Sequence, residues 1–237
     1  MHPADRQHAR LVWFFDVDGT LLLTDGAARE AFAAALSECF GIEDELREIA
    51  FAGRTDPLIL GDILSKHRRS VSADEARQFW KRTHANMAKL LAPGRGGLLP
   101  GVPALLDAVE REPQWVSALL TGNTTGMARV KLGHYGIAER FAFGAFGEEA
   151  ADRNALACLA AERAAELYAV PPRRCIVVGD TEHDIACARA AGMRAVAVAT
   201  GSRDRELLAS HDPDLLLDDL SEPDECLRWA RELAAGD

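Results

Sequence analysis

The apolar and polar positions divide this chain into three stretches. The first is the run Leu11-Val-Trp-Phe-Phe, which breaks into Asp16-Val17-Asp18-Gly19-Thr20 before Leu21-Leu22. A continuous apolar run this short, rich in aromatics and Val, reads as a strand covered on both faces of a parallel sheet. From Thr24-Asp25-Gly26 the pattern turns helical. An Ala-rich stretch over 27–40 stops at Gly41, and residues 43–91 continue with helical periodicity, broken near Gly53 and at Ser70-Val71-Ser72. Asp56-Pro57 places Pro at the start of a helix. Ser72-Ala73-Asp74-Glu75 has the form of a capping box opening a helix to about residue 90. No strand pattern interrupts this block, which reads as a small helical bundle inserted after the first strand. Pro93-Gly94-Arg95-Gly96-Gly97 is the expected hinge. With no strand before it and no helix after it, it does not read as a dinucleotide loop.

Beyond Leu98, helices and apolar strands alternate. Helices are expected over 102–112, 124–135, 154–168, 185–191 and 223–233, and strands over 116–120, 141–146, 175–178, 195–199 and 214–217. That alternation implies right-handed crossovers and a parallel sheet with helices on both faces. The expected fold is therefore α/β: a doubly wound, Rossmann-like parallel sheet from residues 1–22 and 98–237, with an inserted α-helical domain at 23–97. Ligands of such sheets sit beyond the carboxyl ends of the strands, where the strand order reverses. The residues that end each strand are thus the candidates for chemistry.

Strand one ends at Asp16 and Asp18. A buried carboxylate without a partner is costly, and a hard cation with oxygen ligands, Mg²⁺ above all, suits the pair. The plainer alternative, a turn or helix cap, fits Gly19 and Thr20. The next core strand ends in Thr121-Gly122-Asn123. A hydroxyl, a glycine and the start of a helix make either a phosphate seat or an ordinary N-cap. The strand at 175–178 ends in Gly179-Asp180-Thr181-Glu182-His183-Asp184. Asp184 falls in the first turn of a helix, where its charge also complements the helix dipole; Asp180 has no comparable alternative. If this strand neighbours the first, Asp16, Asp18, Asp180 and Asp184 converge and require a cation. His183 reads as solvent-exposed. In the insert, Gly53-Arg54-Thr55-Asp56 is the expected substrate contact, with Arg54 taking a second anionic group or else pairing with Asp56.

The net charge of −10 argues against general nucleic-acid or anionic-membrane binding, and no apolar run approaches the length of a membrane span. The five cysteines are scattered without a C-x-x-C, which fits reduced thiols in a cytoplasmic protein rather than disulfides or a zinc site. The first ten residues are polar and show no secretory leader.

Asp16-Val-Asp-Gly-Thr20, Leu120-Thr-Gly-Asn123 and Gly179-Asp-Thr-x-x-Asp184 resemble, in this order, motifs I, II and IV of the haloacid dehalogenase (HAD) superfamily. The inserted block resembles its C1-type cap, and the whole resembles the phosphoglycolate phosphatase-like branch. The resemblance implies a Mg²⁺-dependent phosphatase acting on a small phosphorylated metabolite, phosphoglycolate-like or a sugar phosphate, as a monomer or homodimer. Asp16 would be the nucleophile that forms an aspartyl-phosphate, and Asp18 the general acid and then base. Asp16, the backbone carbonyl of Asp18, and Asp180 would hold the metal, with Asp184 positioning a ligand or a metal-bound water. Thr121, Gly122 and Asn123 would bind the phosphoryl oxygens. The third motif departs from the family: in place of its lysine stands Ala151-Asp152-Arg153-Asn154. Arg153 is expected to supply the cation there. Its competitor Lys131 lies about seven residues into its own helix, roughly 10 Å below the helix start. Asp18 favours phosphoryl transfer over dehalogenation. A phosphomutase or phosphonatase of the same superfamily remains an alternative, as does a receiver-like phosphorylation-dependent binding protein, against which the insert and the Asp-x-Asp pair argue.

Overall fold

The computed structural model describes residues 9–236; most of the polar N-terminal stretch read above for a leader, residues 1–8, lies outside the described residues, as does Asp237. In chain order the elements are β1 (Leu11–Phe15), β2 (Leu22–Leu23), α1 (Ala27–Phe40), α2 (Asp56–Lys66), α3 (Ala73–Leu90), β3 (Gly97–Leu98), α4 (Val102–Arg111), β4 (Trp115–Thr121), α5 (Thr125–His134), β5 (Gly144–Phe146), α6 (Arg153–Tyr168), β6 (Cys175–Gly179), α7 (Glu182–Ala190), β7 (Arg194–Val198), α8 (Arg205–Ser210), β8 (Leu215–Leu217) and α9 (Pro223–Ala235).

β1 lies at the centre because neither of its faces tolerates water. Side chains alternate along a strand, so Leu11, Trp13 and Phe15 enter one apolar layer and Val12 and Phe14 the other. All five are fully buried. The first layer is completed by α4, α5 and α9, the second by α6, α7 and α8. Six parallel strands stand in the order β5-β4-β1-β6-β7-β8, so the order reverses between β1 and β6, where such sheets place their ligands. Phe15 is in register with Val178, and the Asp16 amide donates to the Val178 carbonyl at 3.0 Å. This register brings the residues just beyond β1 and β6 to one place.

The inserted helices have an apolar cluster of their own, including Phe32, Ile63, Phe79 and Met87, and they share it with Met127 of α5. Between α1 and α2 the structure departs from the expected helical run. The Asp44 carboxylate accepts from Leu46 N at 2.8 Å, Leu46 has a φ of 56°, and the Arg29 guanidinium donates to the Leu46 and Ile49 carbonyls. Side chains thus satisfy backbone groups that a helix would have paired along its ladder. The stretch read as a hinge ends in strand pairing, because β2 and β3 form a short antiparallel ladder across the base of the insert. Arg95 ties the same stretch to Glu30. No described helix is long and apolar enough to cross a membrane.

Phe14 is buried between β1 and α6 and stacks edge-on against Phe143 at 5.6 Å. Phe14→Ala is expected to lower the unfolding free energy by about 3–5 kcal/mol, read by urea denaturation.

Candidate active site

Asp16 just beyond β1, Asp180 just beyond β6 and Asp184 in the first turn of α7 place carboxylate oxygens within 4.8 Å of one another, all three residues buried. Local structure fixes each of them. Asp184 closes a capping box, its Oδ2 accepting from Thr181 N at 3.0 Å and from Thr181 Oγ1 at 2.7 Å. Thr20 Oγ1 donates to Asp180 Oδ1 at 3.2 Å. Gly19 has a φ of 81°, and a Cβ there would stand 2.4 Å from Asp180 Oδ2. Only glycine lets the chain turn and pass at that point. Arg153, the first residue of α6, lies 3.0 Å from Asp16 Oδ2 and also pairs with Asp184.

Asp18 faces a different set of partners. Lys131 Nζ is 2.6 Å from Asp18 Oδ2 and 2.6 Å from Asn123 Oδ1. The Asn123 amide donates to Asp18 Oδ2 at 2.9 Å and to Thr121 Oγ1 at 2.8 Å. Lys131 is buried, and its long side chain spans the distance that separates its place on α5 from the helix start. Sequence spacing sets Arg153 and Lys131 as rivals for one position. The fold gives each its own carboxylates.

The cavity above these groups has a volume of about 670 Å³, with Asp16, Asp18, Asn123 and Asp180 on the sheet side and Phe51 and Arg54 among its walls from the insert. Thr121 is fully buried and, like Asp184, lies behind the wall rather than in it. Arg54 pairs with Asp62 of α2 and not with Asp56, which is buried and turned towards Thr124. The His183 side chain is 45% exposed, yet its ring lies against the insert: a Cβ on Gly53 would stand 2.2 Å from His183 Cδ2. Several contacts could not be read from spacing. Among these are Thr20 on Asp180, Lys131 on Asp18, and Arg203 of the cavity wall, held by Glu182 at 2.6 and 3.0 Å. Thr20 closes the first motif and Lys131 is a candidate cation, but their partners are not legible in the sequence, and Arg203 carries no signal there.

Three buried carboxylates stand beside one guanidinium, which pairs with Asp16 and Asp184. Burial pushes Asp16 up to about 6, with Arg153 opposing and Asp184 adding to the rise. Burial pushes Asp180 to about 8, helped by the charges of Asp184 and Asp16. Burial weakens the hold of Arg153 on its proton, but Asp16 and Asp184 override it and keep the group charged. A hard, oxygen-seeking cation fits this donor set. Asp16 and Asp180 bind protons in the fold that the unfolded chain has already released, so stability falls as pH rises from about 4 to about 8. Without metal, the melting temperature is expected to drop between pH 5 and pH 8. Mg²⁺ should raise it more at pH 8 than at pH 5, and Asp180→Asn should flatten the fall, all by thermal-shift assay.

A HAD-hydrolase-like family model matches residues 155–223. Over 207 residues the chain is 31% identical to a phosphoglycolate phosphatase of Xanthomonas campestris, covering 84% of this chain and 86% of that one. It is 26% identical over 193 residues to protein CbbY of Rhodobacter capsulatus, covering 77% of this chain and 82% of the relative. Among solved structures, a predicted phosphoglycolate phosphatase from Haemophilus somnus has the same fold, with a TM-score of 0.71 at 20% identity over 93% of this chain and 98% of that one. The likeness runs through both the sheet and the insert, and with it the chain belongs to the haloacid dehalogenase-like hydrolases, among their phosphatases.

Proposed function

We propose that this phosphatase hydrolyses small phosphate monoesters, phosphoglycolate-like or sugar phosphates, by a Mg²⁺-dependent reaction through an aspartyl-phosphate. The observation that carries the reading is the pairing of two differently held carboxylates. Asp16 is buried among like charges and steadied by Arg153, while Asp18, two residues on, faces the cavity with only its Oδ2 tied to Lys131 and Asn123. A carboxylate set in this way is suited to attack phosphorus, and its neighbour to move protons.

In the first step a carboxylate oxygen of Asp16 bonds to phosphorus and the ester oxygen leaves, taking a proton from Asp18. In the second step Asp18 takes a proton from water, the water oxygen bonds to phosphorus, and the bond to Asp16 breaks, releasing phosphate. Asp16, Asp180 and the carbonyl of Asp18 would hold Mg²⁺, with Asp184 behind them; when bound, the metal neutralises charge on the phosphoryl oxygens. The turn Thr121-Gly122-Asn123 would seat those oxygens at the start of α5. Arg153 would stand in for the family's lysine, its fork matching a phosphoryl group as well as Asp16. The inserted helices would act as the cap that selects the substrate, with Arg54 meeting a second anionic group. Most of the rate enhancement would come from positioning and charge neutralisation, as phosphoryl transfer requires.

The decisive experiment is a panel of phosphometabolites assayed for phosphate release. Turnover is expected with Mg²⁺ and not with EDTA, and Asp16→Asn is expected to release no phosphate from any member. A chain that turns over none of them, or an active Asp16→Asn, overturns the proposal. Arg153→Ala is expected to lower kcat at least about 100-fold. If Arg153→Ala keeps its activity while Lys131→Ala loses it, the cation of the third motif is Lys131.

A further inference from the structure

Asp56 is a buried carboxylate at the cavity that the reaction above does not use. It is the first residue of α2, in the insert, and is 7% exposed. Both of its polar ends reach across to the sheet domain. Its main-chain N–H donates to the Gly122 carbonyl at 2.7 Å, and its Oδ2 accepts from Thr124 N at 2.7 Å and from the Thr124 hydroxyl at 3.2 Å. Gly122 and Thr124 are the residues on either side of Asn123. A single residue of the insert therefore brackets the backbone of Asn123, whose side chain holds both Asp18 and Lys131.

His84 of α3 completes the arrangement. Its Nε2 lies 2.9 Å from Thr124 Oγ1, and its ring is pressed so closely on α5 that a Cβ on Gly126 would stand 2.2 Å from Cε1. Thr124 is the N-cap of α5, with Oγ1 accepting from Met127 N at 3.3 Å. A hydroxyl has one proton and two lone pairs. The proton goes to the Asp56 carboxylate, the strongest acceptor in reach, and the lone pairs take the N–H of Met127 and the Nε2–H of His84. Burial lowers the pKa of His84 and so favours the neutral ring, and this network places its one proton on Nε2. Burial pushes Asp56 up to about 6, with Lys131 opposing, so it is ionised above that pH. Every capacity of the Thr124 hydroxyl is then filled.

We infer that Asp56 and His84 are positioning residues that act through Thr124 and Asn123 to hold Asp18 where it can move its proton. The acid–base group is then in register only while the inserted helices lie on the Thr121–Asn123 turn. This rests on the role proposed above for Asp18. A bond that merely fastened the insert to the sheet domain would support stability without touching the chemical step, and the two roles separate in kinetics.

The probe is p-nitrophenyl phosphate with Mg²⁺, with kcat and KM measured separately. Misplacing a reacting group by about 1 Å can cost on the order of 100-fold, so Asp56→Ala is expected to lower kcat by about that factor with KM within about threefold. His84→Ala should lower kcat by about tenfold, and His84→Gln, whose amide N–H can donate to Thr124, should restore most of it. Because Asp56 acts through Asn123, the double variant Asp56→Ala/Asn123→Ala should lose no more than Asn123→Ala alone. Should Asp56→Ala fail to fold, Thr124→Val, which keeps the shape and removes the hydroxyl, reads the same network. Variants with an unchanged kcat and only a lowered melting temperature overturn the inference. So does a His84→Gln no better than His84→Ala, or a double variant whose losses multiply. A wild-type chain that releases no phosphate overturns the proposed function and this inference with it, whereas an active wild type with unaffected variants overturns the inference alone.

Discussion

Like charges repel, and this structure brings three carboxylates together where little water reaches them. Asp16, Asp180 and Asp184 stand within 4.8 Å of one another and are buried, and in the low dielectric of an interior their repulsion is strong. Burial raises the proton affinity of Asp16 and Asp180, and the neighbouring carboxylates add to the rise. Much of the surrounding structure serves to hold the cluster in spite of that repulsion. Arg153 starts its helix against Asp16 and Asp184, Thr20 donates to Asp180, Thr181 donates to Asp184, and Gly19 lacks the side chain that would block the loop. One guanidinium against three carboxylates leaves an excess of negative charge, which disposes the site towards a cation.

The sheet makes the cluster unavoidable. β1 is apolar on both faces and must lie in the centre, and β6 is its neighbour on the side where the strand order reverses. Each strand is followed at once by a carboxylate. The register that pairs Phe15 with Val178 then carries Asp16 and Asp180 to adjacent positions. The burial that stabilises the sheet thereby supplies the geometry of the site and a chemical tension within it.

Asp18 belongs to a second, separate balance of charge. Lys131 and Asn123 hold it, and the turn that carries Asn123 is gripped from above by the insert through Asp56 and His84. Arg153 and Lys131 are therefore not interchangeable. One offsets the buried cluster, and the other fixes the orientation of the carboxylate that faces the cavity. The insert meets the sheet domain at the loop that holds that carboxylate, and it also walls the cavity beside it.

Local pattern was enough to read the alternation of strands and helices, the parallel sheet, the helical insert, and the carboxylates that close strands one and 175–178. Those features depend on neighbours in sequence: burial periodicity, capping residues, and the residue that follows an apolar run. The irregular stretch between α1 and α2 was not legible, because Arg29, distant in sequence, takes the Leu46 and Ile49 carbonyls that a local reading assigns to a helix. Nor was the division of labour between Arg153 and Lys131, since spacing along a helix gives the height of a Cα but not which acid its side chain will meet. The pairing of Arg54 with Asp62, and of Asp56 with Thr124, likewise followed from how the insert lies on α5. Which groups lie buried at the strand ends follows from the order of residues along the chain. Which of them meet one another follows from the packed fold, because partners separated by a hundred residues are chosen by packing and not by spacing.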